Sequence, residues 1–102
     1  MDKLDEIESL IDAIRKRPGV YFGRYSVTRL AMFLCGYDCA VSNCGNNSIG
    51  VAILQFRNWL ASQYSEKSMF GWEEILLMQT NNDEKLALDL FWKKWDEFCE
   101  EK

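Results

Sequence analysis

Apolar residues recur at three- and four-residue spacing through most of this chain, and no stretch alternates at period two for long enough to argue a strand. The pattern predicts an all-α fold, a single-domain bundle of about five helices over residues 1–102. The first segment, LDEIESLIDAIRKR, sets Leu4, Ile7, Leu10, Ile11 and Ile14 on one stripe. Asp2, Asp5, Glu6 and Glu8 crowd its N-terminal turns and Arg15, Lys16 and Arg17 its last, the arrangement that complements a helix dipole. Pro18 and Gly19 are expected to stop this helix, Tyr21 and Phe22 to pin the following linker onto the bundle, and Gly23 to turn the chain.

Ser26 is the expected N-cap of a second helix, VTRLAMFLCGYDCAVSN, with Val27, Leu30, Phe33, Leu34, Tyr37 and Val41 on its buried side. Gly36 lies inside it. An interior glycine costs about 0.5–1 kcal/mol relative to alanine, so close approach of another backbone is expected there. Gly45, Asn46 and Asn47 make a turn. A third helix fits GVAILQFRNWLASQY, with a broad apolar face of Val51, Ile53, Leu54, Phe56, Leu60 and Tyr64. After the polar connection SEKSMFG, GWEEILLMQT reads as a short fourth helix, with Trp72, Ile75, Leu76 and Met78 to pack. Asn82 is the expected cap of a fifth, DEKLALDLFWKKWDEFCEEK, on the stripe Leu86, Leu90, Phe91, Trp95 and Phe98.

Composition narrows the functional classes. A chain of 102 residues that is 48% hydrophobic and 14% aromatic, with one proline, suits one domain around one core. MDKLDEIESL opens acidic where a secretory leader would be basic, and no apolar run has the length of a membrane span, so the expected location is cytoplasmic. The four cysteines then read as reduced, small buried side chains. With no CxxC pair and no histidine, neither a metal nor another cofactor is expected.

The missing histidine also removes the usual neutral-pH base and the usual activator of a cysteine nucleophile. Acidic pairs such as Glu73-Glu74, Asp83-Glu84 and Asp96-Glu97 are adjacent on helices and point about 100° apart, so they do not converge on a substrate. GxGxxG and GxxxxGK[ST] phosphate cradles are absent. The expectation is a protein that is not an enzyme.

Charge is polarised along the sequence. Five bases and no acid lie between Ala13 and Tyr37, whereas nine acids face four bases from Trp72 onward. Arg15, Lys16, Arg17, Arg24 and Arg29, interleaved with Tyr21, Phe22 and Tyr25, could hold single-stranded nucleic acid by phosphate contacts and stacking. The net charge of −4 opposes that, and suits a cationic protein partner instead. Trp59, Trp72, Trp92 and Trp95 are many tryptophans for so small a core, and Trp92 is the one expected at its edge, as an interface anchor.

RKRPGVYFG, Arg15 to Gly23, resembles the RKRPGMYIG segment near the start of DNA gyrase B subunits and their topoisomerase relatives. The N-box, DxGxG motif and glycine-rich lid of that ATPase are absent, so nucleotide hydrolysis does not carry over. A longer pattern, IxxRPxMYxGxxSxxxLxxFxxGY, runs through Ile14, Arg17, Pro18, Tyr21, Gly23, Ser26, Leu30, Phe33, Gly36 and Tyr37, followed by Gly71 and Trp72, with Val20 where methionine is usual. It is similar to small bacterial helical proteins that look like immunity proteins of polymorphic toxin and contact-dependent growth inhibition systems. The resemblance implies a cytoplasmic, stoichiometric inhibitor of a cognate toxin domain, commonly a nuclease, and its motif residues look structural.

The expected partner is therefore a cationic toxin domain, with no nucleic acid and no membrane. The expected contacts are Glu73, Glu74, Asp83, Glu84, Asp89, Trp92, Asp96 and Glu97, chosen by charge and placement. A helical adaptor or subunit module, and a small nucleic-acid binder using the basic 15–29 stretch, are the alternatives. The pattern does not specify an oligomeric state.

Overall fold

The computed structural model describes residues 3–65 and 70–101, with side chains from Glu6 onward. Asp2, the side chains of Leu4 and Asp5, and residues 66–69 of the connection SEKSMFG lie outside them. The described residues form six α-helices: α1 (Lys3–Lys16), α2 (Pro18–Phe22), α3 (Val27–Ser42), α4 (Ser48–Gln63), α5 (Trp72–Gln79) and α6 (Glu84–Glu100). None is long and apolar enough to cross a membrane.

The sixth element is α2, which the sequence pattern presents as a linker. Only Arg17, at φ −144° and ψ 63°, interrupts the helical course, and Pro18 then opens α2 in the first turn, where its missing N–H leaves no bond unmade. Gly23 ends α2 at φ +81°, its N–H donating to the Gly19 carbonyl at 3.0 Å. Phe22 packs against the core, and the Tyr21 ring meets Phe33 edge-on at 5.6 Å, so both residues hold this short helix to the bundle.

Ser26 caps α3 as expected, accepting the Arg29 N–H at 3.2 Å. The cap of α6 is Asp83 rather than Asn82. Asn81 and Asn82 sit at φ 53° and 65°, and the Asn82 N–H donates to the Leu77 carbonyl at 2.9 Å, so both belong to the wrap-around that closes α5. Asp83 has the extended backbone a cap requires and accepts the Leu86 N–H at 2.9 Å. Gly36 is also corrected. A Cβ there would meet no atom of the described residues within 4 Å outside its own helix.

The core runs along α4. On one side Ile7, Ile11 and Ile14 of α1 are fully buried, with α1 packed on α4. On the other, Phe56 is the hub of an aromatic cluster, its ring 5.3–6.1 Å from those of Trp59, Trp72, Phe91, Trp95 and Phe98. Trp72 and Trp95 are buried, while Trp59 and Trp92 are half-buried. The apolar stripes are narrower than the sequence pattern implies, for Tyr37, Leu54, Met78 and Leu86 are exposed. Cys35, Cys39 and Cys44 are exposed as well, because Cys35 and Cys39 lie off the Val27, Leu30 and Leu34 stripe that α3 buries. The radius of gyration of 13.0 Å is about that of a single folded body of this length.

Three polar latches tie the helices at their ends. The Glu6 carboxylate accepts from the Ser48 hydroxyl and from the Asn46 side-chain amide at 3.0 Å, joining α1 to the start of α4. The Arg15 guanidinium grips both oxygens of Asp96, donates to the Trp92 carbonyl and covers the Trp92 ring at 5.2 Å. The Glu84 carboxylate accepts the Ser26 hydroxyl at 2.8 Å, the Thr28 N–H at 2.9 Å and the Thr28 hydroxyl at 2.7 Å, so α6 satisfies the start of α3.

Candidate functional site

The structure separates the eight residues that charge and placement single out. Asp83 is spent as a helix cap and Glu84 as the acceptor for α3. Burial pushes the Glu84 carboxyl up, but the hydrogen bonds from Thr28 and Ser26 outweigh it, and the net effect holds it below the ordinary carboxylate value. Asp96 is paired with Arg15 at 2.9 Å, and the same guanidinium covers the Trp92 ring. Asp89 pairs with Lys85 at 3.2 Å and Glu97 with Lys94 at 3.5 Å, each along its own helix. Glu73 and Glu74, in the first turn of α5, have no hydrogen bond or ion pair among the described residues.

Those two glutamates stand on the rim of a cleft of about 500 Å³ between α3, α4 and the start of α5. Helical geometry explains the other walls. Thr28, Ala31, Cys35 and Asp38 recur at three- and four-residue intervals along the side of α3 that its buried stripe leaves over, and Gly50, Ile53, Leu54 and Arg57 do the same on α4. Met32 and Leu54 stand at the mouth, 69% and 59% exposed. The broad apolar face of α4 is the signal for this site in the sequence. Ile49, Ala52, Phe56 and Leu60 already fill the stripe that packs inward, so Leu54 is left pointing out.

Among the described residues, Asp38, Glu73 and Glu74 give the cleft three carboxylates against one guanidinium, Arg57, which is engaged by the Phe70 carbonyl at 2.9 Å and Asn58 at 3.2 Å. Two of the acids lie over glycines. An ideal Cβ at Gly50 would stand 2.8 Å from the Asp38 carboxylate, and one at Gly71 would stand 2.7 Å from that of Glu73. Each glycine is in the opening turn of a helix or immediately before it, where a carboxylate also complements the helix dipole.

Chemically the cleft is an apolar trough with an acidic rim. Cys35 is the one nucleophilic thiol lining it, with no histidine in the chain to activate it. Cys99 is elsewhere and half-buried: burial, then a hydrogen bond and charge from Glu8 and the charges of Asp96 and Asp12, push it up to about 12. No group of three or more metal-ligating side chains converges among the described residues. A smaller hollow between α1, α3 and α4 is lined on its polar side by Glu6, Ser9 and Asn46.

Comparison with protein-family models, curated proteins and solved structures finds no match to this chain.

Proposed function

We propose that this protein is a non-catalytic inhibitor that binds a cationic toxin domain in a stoichiometric complex, in the manner of a bacterial immunity protein. One observation carries the reading: an open apolar cleft whose rim bears Asp38, Glu73 and Glu74, two of them glutamates with no internal partner among the described residues. An acidic rim steers a basic partner and fixes its register, while the apolar mouth supplies area to desolvate. The resemblance carried by Ile14, Arg17, Pro18, Tyr21, Gly23 and Ser26 supplies the class of partner. Its nuclease character is part of the same proposal, since a carboxylate-rich surface suits a cleft evolved for phosphate.

The test is co-expression with the variable C-terminal domain of a large secreted protein encoded beside this chain. Survival of the cells, with the two proteins eluting together at one to one, is the expected result. Absence of such a neighbour, or death of cells that accumulate the folded chain, excludes the reading.

A second reading rests on a separate surface, where Arg17, Arg24 and Tyr25 are exposed. It makes the protein a nucleic-acid binder, and tight binding to single-stranded RNA or DNA that weakens steeply with salt is the result that favours it.

A further inference from the structure

We infer that the cleft between α3, α4 and α5 is the docking groove for one kind of occupant, a segment of the partner protein that carries an apolar side chain flanked by lysine or arginine. The inference rests on the binding role proposed above and specifies where and how that binding happens.

The apolar part of the argument is shape. Leu34 is buried and Ala31 and Ile53 are half-buried, while Met32 and Leu54 are exposed, so apolar surface continues outward past the cavity. A small molecule would be enclosed, whereas a projecting rim needs a large partner to cover it. Methionine at such a rim adapts to the side chain it meets.

The polar part is charge. Asp38 lies on the α3–α4 wall and Glu73 and Glu74 on the α5 wall, so a segment seated between Met32 and Leu54 has carboxylates on two sides. Glycines leave them room. With Gly50 and Gly71 lacking a Cβ, the Asp38 and Glu73 carboxylates lie close against the backbone at the starts of α4 and α5, and the Ser42 hydroxyl donates to Asp38 at 3.3 Å. The same acids repel nucleic-acid phosphate and anionic lipid, and a second copy docking by two-fold symmetry would bring like charges together.

The test uses the full chain, labelled at methionine and leucine methyls and titrated by NMR with a synthetic amphipathic peptide of lysine and leucine at helical spacing. Met78, exposed on α5 away from the cleft, is the internal control. The expected result is movement of the Met32 and Leu54 methyls with Met78 unmoved. Binding is expected to weaken about tenfold in the triple variant Asp38→Asn, Glu73→Gln, Glu74→Gln, and to persist in Asp89→Asn, Glu97→Gln, Glu100→Gln, which removes the same charge elsewhere. Gly50→Ala, which displaces Asp38 while keeping every charge, is expected to weaken binding as well.

Equal binding of a lysine and glutamine peptide, equal loss in both triple variants, shifts confined to other methyls, or no shift at millimolar peptide overturns the inference. Concentration-dependent shifts of Met32 and Leu54 without peptide assign the groove to a second copy and overturn it too. If the chain protects cells from its toxin domain and the cleft variants protect equally, this inference falls and the inhibitor reading stands. If the peptide seats as described in a chain that protects nothing, the inhibitor reading falls alone.

Discussion

Glu84 shows how a residue that looks available in the sequence is committed in the fold. Its three acceptor contacts reach 56 to 58 positions back along the chain, to Ser26 and Thr28. Because its folded carboxyl is held below the ordinary value of 4.5, its stabilising contribution is complete above that pH and is lost as pH falls through the lowered value. Urea titrations should therefore show stability falling on acidification below about pH 4.5. Glu84→Gln should cost about 1 kcal/mol at pH 7 and flatten that slope. A variant as stable as the parent with an unchanged slope contradicts the stabilising role of these three contacts.

Thiol chemistry offers a second check at this scale. Cys35, Cys39 and Cys44 are exposed, while Cys99 is half-buried and pushed up to about 12. A disulfide-exchange reagent at pH 8 should label three thiols quickly and the fourth only as the protein opens. Glycines supply a third. Gly36 is exposed in the middle of α3 with open space around it, so Gly36→Ala should raise stability by about 0.4–1 kcal/mol and leave the cleft unaltered. Gly50→Ala should gain less than Gly36→Ala, because the new Cβ moves the Asp38 carboxylate off the opening turn of α4. Chemical denaturation of the two variants checks both.

At the scale of elements, helical periodicity and capping chemistry made five helices legible, and the Ser26 cap with them. The sixth was hidden because Pro18-Gly19 is a stop signal and a start signal at once, and a five-residue helix is too short to show a period. Asn82 reads as a cap in the sequence because asparagine serves both at caps and in left-handed turns, and only the φ of 65° decides between them. The basic end of α1 illustrates the same limit. Arg15 complements a dipole on paper, yet in the fold it crosses to α6, to Asp96 and Trp92.

That latch makes an asymmetric prediction. The Arg15 and Asp96 side chains are 32% and 57% exposed, so Asp96→Ala should cost well under about 1 kcal/mol. Arg15→Ala also strips the cover from the Trp92 ring and the donor from its carbonyl, and should cost about 1–2 kcal/mol. Equal losses in thermal unfolding would mean that the ion pair alone carries the contact.

For the whole molecule, the acidic half of the sequence suggests a binding surface, and the fold divides its acids between helix contacts and the cleft. Charge counts cannot reveal that Asp83, Glu84, Asp96 and Trp92 take part in caps and in contacts with α1 and α3, since those contacts exist only after the chain folds. The surplus on α4 was the legible hint: a face carrying Ile53 and Leu54 beside Phe56 and Leu60 is wider than one packed neighbour can cover. Its exposed edge meets α3 and α5 at the carboxylates of Asp38, Glu73 and Glu74, and there the proposed function resides.

The most direct measurement is survival of cells expressing the toxin domain encoded beside this chain, with the parent protein, the cleft triple variant and the α6 triple variant compared at equal abundance. The account predicts protection by the parent and by Asp89→Asn, Glu97→Gln, Glu100→Gln, and loss of protection in Asp38→Asn, Glu73→Gln, Glu74→Gln. Failure of the folded parent protein to protect would contradict it.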